Sequence, residues 1–214
     1  MIESIIFDFD GVIVESAEIK TQAFATLFAN YPQHIEQIIA FHKANVGLSR
    51  FVKFRHIYTN LLEKNLSKAE EKQLGERFST IVLKQIVTAP LVAGVQNFLV
   101  NNNSQLQFFI VSGTPQYELD YIMKELQIDQ FFVEAIGSPT KKPAAISALI
   151  DRYNLSKDSV IMVGDGKSDQ QAADATGVRF VARFTNENRE IFHHYPWCID
   201  NFTLFNPDMT GSNK

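Results

Sequence analysis

Apolar and polar positions divide the chain into two regions of different periodicity. Residues 4–9 are rich in isoleucine and phenylalanine and end in acidic residues and glycine, which predicts a buried parallel strand that runs into a loop. Between residues 16 and 86, apolar side chains recur at i, i+3, i+4 and i+7. This spacing predicts four consecutive amphipathic helices without a strand, the fourth of them with Ser67 as its N-cap.

From Ala89 onward, strand and helix patterns alternate. Strands are predicted at residues 107–111, 131–136, 159–163 and 178–182, and helices at residues 95–100, 116–126, 142–153 and 168–175. Such alternation is typical of βαβ units. We therefore predict an α/β fold, in which residues 1–15 and 87–214 form a Rossmann-like core with a parallel sheet and residues 16–86 form an inserted α-helical domain.

Composition narrows the range of partners and compartments. The 214 residues carry a net charge of −4, which argues against a nucleic-acid partner, and no apolar run of about 18 residues predicts a membrane helix. The chain contains one cysteine, Cys198, so an internal disulfide is impossible; this fits a reducing compartment. We predict a cytoplasmic protein without a membrane partner, a monomer or a homodimer, in which Trp197 and Cys198 belong to the core.

Two aspartates follow the first predicted strand. Asp8 and Asp10 alternate with Phe9 and therefore point to the same side, where two nearby carboxylates need a cation or a shared proton. Gly11 permits a close approach of the backbone to an anion. The alternative is a surface turn with two solvated aspartates, but the position directly after an apolar strand favours a function.

A second acidic pair follows the predicted strand at residues 159–163. Asp165 and Asp169 lie at the start of a helix, and their hard carboxylate oxygens are the ligands that Mg²⁺ prefers. Acidic residues are also common at helix N-termini without any metal. That alternative explains Asp169 well and explains Asp165, at the strand end, less well.

Two further segments carry groups that could bind an anion. Ser112 and Gly113 follow a predicted strand and precede a helix, where a hydroxyl and backbone N–H groups can bind phosphate, although Ser112 could also simply cap the helix. Lys142 begins a predicted helix, where its charge opposes the helix dipole. It could neutralise a phosphate, or it could be a solvated lysine. All these segments are expected at the carboxyl edge of the sheet, where ligands bind.

Taken together, the four segments resemble the haloacid dehalogenase superfamily. Its pattern is Asp-x-Asp after the first strand, Ser or Thr after the second, a lysine, and then Gly-Asp with a further aspartate; all occur here in that order. The inserted helices resemble the helical cap of that superfamily. The Asp-Gly-Val segment that starts at Asp10 resembles the branch with phosphoglycolate phosphatase-like and β-phosphoglucomutase-like enzymes.

The resemblance implies roles for individual residues. Asp8 would be the nucleophile that forms an aspartyl-phosphate, and Asp10 would be the general acid and then the general base. Ser112, Gly113 and Lys142 would bind the phosphoryl group. Mg²⁺ would be held by Asp8, the backbone carbonyl of Asp10 and Asp165. Asp169 would support this metal site.

In the inserted helices, Arg50 follows a Gly-Leu-Ser segment that resembles a cap segment in contact with substrate. Arg50 would then bind an anionic part of the substrate; alternatively it is solvated, with Ser49 as the N-cap of the third helix. Lys53 is interpreted as part of the solvent-exposed face of that helix. Lys20 stands where the mutase-like enzymes usually have a histidine, which argues against a mutase.

The sequence therefore predicts a phosphatase that hydrolyses a small phosphorylated metabolite with Mg²⁺. A phosphomutase with the same fold is the main alternative, and it would return a bisphosphate intermediate to the enzyme. A receiver-like signalling domain with a stable phospho-aspartate is a further alternative, but the chain is too long and carries a helical insertion after its first strand.

Overall fold

The computed structural model describes residues 1–186 and 188–209; residue 187 and residues 210–214, which the predicted core range 87–214 includes, lie outside the described residues. One sheet contains all the named strands, which are parallel and have the order β3-β2-β1-β4-β5-β6. Their bounds are Ser4–Phe7 (β1), Gln107–Pro115 (β2), Glu134–Ser138 (β3), Val160–Gly164 (β4), Arg179–Arg183 (β5) and Cys198–Ile199 (β6). The predicted α/β fold with a parallel sheet is confirmed.

Among the described residues, five α-helices lie between β1 and β2, and four follow β2. Their bounds are Ala17–Leu27 (α1), Ile35–Ala44 (α2), Arg50–His56 (α3), Lys68–Ile86 (α4), Val95–Asn102 (α5), Gln116–Glu125 (α6), Lys142–Tyr153 (α7), Lys167–Thr176 (α8) and Arg189–Phe192 (α9). In the described residues, no helix combines the length and the apolar character that crossing a bilayer requires. We call residues 16–86 the cap; their treatment as a separate domain stays a prediction.

The sheet is buried on both faces, which explains why its strands are continuously apolar. Ile5 and Phe7 of β1 pack into the cluster that includes Phe108 and Ile110 of β2. Ile6, one position along, points to the opposite face and its own apolar cluster. This alternation follows from the two-residue period of a strand. The central position of β1 places the residues after it in the middle of the carboxyl edge.

The buried interior of the cap is formed mainly by phenylalanines and belongs to the same apolar cluster as one face of the sheet. Phe24 of α1 lies with its ring centroid 5.8 Å from that of Phe54 in α3 and 5.0 Å from that of Phe78 in α4. All three rings are almost completely buried. The helix α4 begins at a capping box, in which Ser67 Oγ accepts from the Glu70 N–H and the Glu70 carboxylate accepts from the Ser67 N–H. The predicted N-cap is therefore confirmed.

The two connections between sheet and cap run side by side. Val14 forms an antiparallel bridge with Leu91, and the Val92 N–H donates to the Ile13 carbonyl at 2.9 Å. On the other side, the Gly11 N–H donates to the Val14 carbonyl at 2.8 Å. The entry to the cap and its exit are thus joined, and the entry is also bonded to the loop that follows β1.

Several predicted boundaries are wrong. β1 ends at Phe7 rather than at residue 9, because the Phe9 carbonyl accepts from the Ile13 N–H at 2.9 Å and the chain turns there. β3 begins at Glu134, since residues 129–131 form a 3-10 turn. The third predicted helix, by contrast, is helical over its predicted span, and its last part, Ile57–Leu61, is one π-helical turn.

The last part of the described chain contains elements that the pattern did not predict. The strand β6 and the helix α9 have only two and four residues, too few to show a period. Trp197 is half-buried against the core, but Cys198 is exposed, so its predicted place in the core is wrong. Cys198 lies on β6, an edge strand that no further strand covers among the described residues.

Candidate active site

The predicted site residues meet at the carboxyl edge of the sheet. Asp8 follows β1, Ser112 lies in the last part of β2, and Asp165 follows β4. Lys142 is the first residue of α7, and Asp169 lies in the first turn of α8. All five side chains are buried. Parallel strands end at the same edge, which brings these distant segments of the sequence together.

Three carboxylates form a cluster at the centre of this edge. Asp8, Asp165 and Asp169 each contribute an oxygen atom, and these oxygens lie within 4.8 Å of one another. Burial and then the charge of Asp169 raise the pKa of Asp8 to about 7. Burial and then the charge of Asp8 raise the pKa of Asp165 well above its usual range. The cluster therefore holds more negative charge than its surroundings stabilise.

Lys142 partly balances this charge. Its Nζ lies 2.8 Å from Asp8 Oδ2 and also forms an ion pair with Asp169 Oδ1. Burial lowers the pKa of Lys142, but the charges of Asp169 and Asp8 raise it further, so that it lies above its usual value. The lysine is thus a fixed cation beside Asp8, and the alternative of a solvated lysine is wrong.

The donor set suits a divalent cation. Asp165 Oδ1 is buried and has no hydrogen-bond partner among the described residues. Both oxygens of Asp169 are engaged, since Oδ2 accepts from the Gly166 N–H at 3.0 Å and Oδ1 pairs with Lys142. A buried carboxylate oxygen without a donor is costly unless a cation or a proton satisfies it. Asp165 Oδ1 is therefore the ligand atom that remains open, whereas Asp8 Oδ1 accepts from the Phe9 N–H at 2.7 Å and Asp8 Oδ2 pairs with Lys142.

Asp10 lies outside this cluster and has a different environment. Its carboxylate accepts from Ser16 Oγ at 2.6 Å and from Thr114 Oγ1 at 2.8 Å, and it forms an ion pair with Lys20. Burial raises the pKa of Asp10, but the charge of Lys20 and these hydrogen bonds lower it below its usual value. Asp10 is thus held as a carboxylate, and the surface-turn alternative for Asp8 and Asp10 is wrong.

The segment of Ser112 and Gly113 faces the cap. Ser112 Oγ accepts from the Thr114 N–H at 3.1 Å, and Gly113 lines the cavity beside Asp8. A Cβ atom at Gly113 would lie 2.7 Å from the carbonyl oxygen of Gly47. Glycine is therefore required here because the cap backbone lies directly above it. Thr114 was not predicted, although it follows Ser112 at strand spacing and so points to the same side.

Residues 46–48 of the cap cover the carboxylate cluster. Ser168 Oγ donates to the Val46 carbonyl at 3.0 Å. Gly47 has a φ of +82°, and a Cβ there would overlap Ser168 Oγ and lie 3.2 Å from Lys142 Nζ. The cap is therefore closed over the site, and only glycine permits this approach.

Arg50 is buried and does not reach solvent, so the alternative of a solvated arginine is wrong. Its guanidinium donates to both oxygens of Glu118 in α6, at 2.9 and 2.6 Å, and lies 4.5 Å from the Phe78 ring centroid. Ser49 is the N-cap residue of α3, but its side chain makes no capping hydrogen bond. Arg50 lines the cavity, yet Glu118 already occupies its two terminal nitrogens.

Lys53 is only 3% exposed, so its predicted place on the solvent-exposed face of α3 is wrong. Its ammonium lies 3.0 Å from Nδ1 of His42 and donates to the His42 carbonyl at 3.3 Å. Burial and then the charge of Lys53 lower the pKa of His42 to about 2, so the imidazole is neutral and accepts this hydrogen bond. The spacing of Arg50, Lys53, Phe54 and Ile57, at i, i+3, i+4 and i+7, is the signal that indicates an inward position.

A cavity of about 50 Å³ separates the carboxylates from the cap. At about 10–15 Å³ for each water molecule, this space admits roughly four waters. Acidic groups line the sheet side, and cationic or apolar groups line the cap side. The lining includes Asp8, Asp10, Asp165, Lys20, Phe24, His42, Leu48, Arg50, Lys53 and Phe78.

Comparisons with known proteins agree with this architecture. A family model described as "Haloacid dehalogenase-like hydrolase" matches residues 5–183. A phosphoglycolate phosphatase of Aliivibrio fischeri is 28% identical over 186 residues, which cover 82% of this chain and 81% of the relative.

Solved structures share the fold at low sequence identity. A hydrolase from Pseudomonas syringae has a TM-score of 0.80 at 16% identity, and the match covers 98% of this chain and all of the other. A β-phosphoglucomutase from Clostridium difficile has a TM-score of 0.76 at 17% identity, with 97% and 95% covered. At these identities, the structures support the sheet and its helical insertion, and the choice between hydrolase and mutase depends on the site.

Proposed function

This chain belongs to the haloacid dehalogenase-like hydrolase family, and from that premise we propose that it is a Mg²⁺-dependent phosphatase of small phosphorylated metabolites. The observation that carries the proposal is the contact between Lys142 and Asp8 beside the carboxylate cluster. Such an arrangement places a nucleophilic carboxylate next to the cation that a phosphoryl group needs. The name of the Aliivibrio fischeri relative, phosphoglycolate phosphatase, supports hydrolysis of a phosphoester.

In the first step, a carboxylate oxygen of Asp8 attacks phosphorus and the bond to the leaving oxygen breaks. Lys142, Ser112 and the backbone of Gly113 bind the transferring phosphoryl group. The leaving oxygen takes a proton from Asp10, and an aspartyl-phosphate remains on Asp8. In the second step, water attacks phosphorus, Asp10 accepts the proton of that water, and phosphate leaves with Asp8 restored.

Mg²⁺ fits the residues present, because the buried Asp165 Oδ1 lacks a donor and the cluster is acidic. Asp8, Asp165 and the backbone carbonyl of Asp10 would hold the ion, and Asp169 would support them. When bound, it supplies positive charge that neutralises the phosphoryl oxygens. Asp169 also orients Lys142, since the two form an ion pair.

The ion pair of Lys20 with Asp10 favours the carboxylate form of Asp10, which is the form that activates water. The first step needs a protonated Asp10, so the Lys20 ammonium has to withdraw from this carboxylate when substrate binds. The mutase-like enzymes would have a histidine in that position. Lys20 therefore favours hydrolysis over the phosphomutase alternative.

The nucleophile is tested by Asp8→Asn, which keeps the size of the side chain and removes its charge. With Mg²⁺ and p-nitrophenyl phosphate, we expect phosphate release to fall by at least about 1,000-fold, the effect of removing a covalent nucleophile. Asp174→Asn, an exposed acid on α8, is the matched control and should retain activity. An active Asp8→Asn protein would refute the mechanism.

Product analysis separates the two enzymes. A phosphatase releases one inorganic phosphate for each ester consumed, whereas a mutase yields an isomeric phosphoester and little free phosphate. A chelator should abolish release from the wild-type protein, and added Mg²⁺ should restore it. A stable phosphoprotein without turnover would instead favour the receiver-like alternative.

A further inference from the structure

Lys53 is a cation of the cavity that has no part in the mechanism above. Lys53 lies in α3, on the cap side of the cavity, and is almost completely buried. His42 supplies both of the acceptors that its ammonium has among the described residues. An ammonium has three N–H donors, so one donor remains for a ligand in the cavity.

The other cations that line or border this cavity are paired with carboxylates. Lys20 pairs with Asp10, Lys142 with Asp8, and Arg50 with Glu118. Among the described residues, no carboxylate forms an ion pair with Lys53, and the neutral His42 ring cannot offset its charge. A buried ammonium without a counter-ion is destabilising. Burial and then the charge of Lys20 accordingly lower the pKa of Lys53 to about 7.

Lys53 lies on the side of the cavity opposite to Asp8, the residue that would attack the phosphoryl group. Asp8 and Asp165 line the sheet side of the same cavity, whereas Lys53 and His42 line its cap side. The cap side of the cavity also contains the apolar side chains of Phe24 and Leu48. A phosphoester attacked by Asp8 therefore places its organic part between this apolar wall and the ammonium of Lys53.

We propose that Lys53, held in place by His42, binds a carboxylate on the organic part of the substrate, so that the enzyme selects small phosphorylated carboxylic acids. This inference rests on the proposed phosphatase function. One carboxylate matches one ammonium in charge, whereas a second phosphate would need further cations, and Glu118 already engages Arg50. The small volume of the cavity likewise favours an acid with few atoms.

The test compares two esters that differ in the carboxylate. Phosphate release with Mg²⁺ is measured for 2-phosphoglycolate and for ethyl phosphate, which has a methyl group in its place. For Lys53→Met we expect kcat/KM for 2-phosphoglycolate to fall by about 10- to 100-fold, mainly through KM, the effect of losing a hydrogen bond to a charged group. The loss for ethyl phosphate should be at least about tenfold smaller.

Two further variants complete the comparison. Lys53→Arg keeps a cation and should keep more of the preference for 2-phosphoglycolate than Lys53→Met. Lys84→Met, an exposed lysine on α4, should behave as the wild type on both esters. Equal losses on the two esters, or no loss on either, would overturn the carboxylate site while the phosphatase function stands. A wild-type protein inactive on both esters and on p-nitrophenyl phosphate would overturn the proposed function, and this inference with it.

Discussion

At the level of single residues, the three most buried cations differ in what balances their charge. Lys142 contacts two carboxylates, Arg50 contacts one, and Lys53 contacts only a neutral imidazole. The pKa values of the two lysines follow this difference, since that of Lys142 is raised and that of Lys53 is lowered. The motif spacing predicted Asp8, Lys142 and the acidic pair, because those side chains follow strands. Lys53 was missed because a charged residue on an amphipathic helix usually faces water.

The lowered pKa of Lys53 predicts a pH dependence of stability. An unfolded lysine has a pKa of about 10.4, whereas that of Lys53 is about 7 in the folded protein. Between these values the unfolded chain binds more protons, so the free energy of unfolding rises as the pH increases from about 7 to about 10. The charged groups that act on Lys53 are Lys20, Asp165, Asp10 and Lys142, and His42 stays neutral throughout this range.

Lys53→Met should remove that rise and should stabilise the substrate-free protein at pH 7 by on the order of a few kcal/mol. Urea unfolding between pH 7 and pH 9.5, at one fixed Mg²⁺ concentration, measures the effect. Lys84→Met should keep the wild-type dependence. Parallel curves for the wild type and Lys53→Met would show that the lysine is charged in the folded state over the whole range.

At the level of helices and strands, the sequence pattern predicted whether a segment is a helix or a strand more accurately than it predicted where the segment ends. The helix α7 begins and ends at the predicted residues, since Pro143 lies in its first turn and Asn154 ends it in the left-handed conformation. Gly177 ends α8 in the same way. Where a turn is closed by backbone hydrogen bonds between apolar residues, as in the loop after β1, the apolar pattern extends the strand too far. Elements as short as β6 have no period to detect.

The capping box of α4 gives a prediction at this level. Ser67→Ala removes the acceptor for the Glu70 N–H and should lower the free energy of unfolding by about 0.5–2 kcal/mol. Urea unfolding measures the loss, and activity should change little, because Ser67 is exposed and is not among the residues that line the cavity. Ser104→Ala, at an exposed serine in the turn before β2, is the control. Equal effects of the two substitutions would contradict a capping role.

At the level of the whole molecule, the site is formed by two units that meet. The sheet supplies the carboxylates and Lys142, and the cap supplies the covering segment 46–48 and Lys53. The buried pair of Arg50 and Glu118 joins α3 to α6 and thereby holds the units together. The sequence predicted the parallel sheet and the carboxyl edge at which the acidic residues lie. It could not predict the closed approach, which depends on contacts between residues that are 68 to 122 positions apart.

Gly47→Ala tests the importance of this closed approach. The added methyl group would meet Ser168 Oγ and Lys142 Nζ, so residues 46–48 would have to move away from the site. We expect kcat/KM to fall by about tenfold or more, since displaced positioning contacts are costly in catalysis. Gly177→Ala is a matched control, because its φ of +76° brings similar backbone strain while its neighbours leave room. Comparable kinetic losses in both variants would attribute the effect to strain alone.

The paired connections between sheet and cap have a consequence for the surroundings of Asp10. Gly11 is bonded to Val14, Val14 forms a bridge with Leu91, and Asp10 is the neighbour of Gly11. The two chain segments that join cap and sheet are therefore continuous with the loop that carries Asp10, and α1 brings Lys20 to that same carboxylate. Any displacement of the cap relative to the sheet would thus also alter the ion pair and the hydrogen bonds that hold Asp10 as a carboxylate.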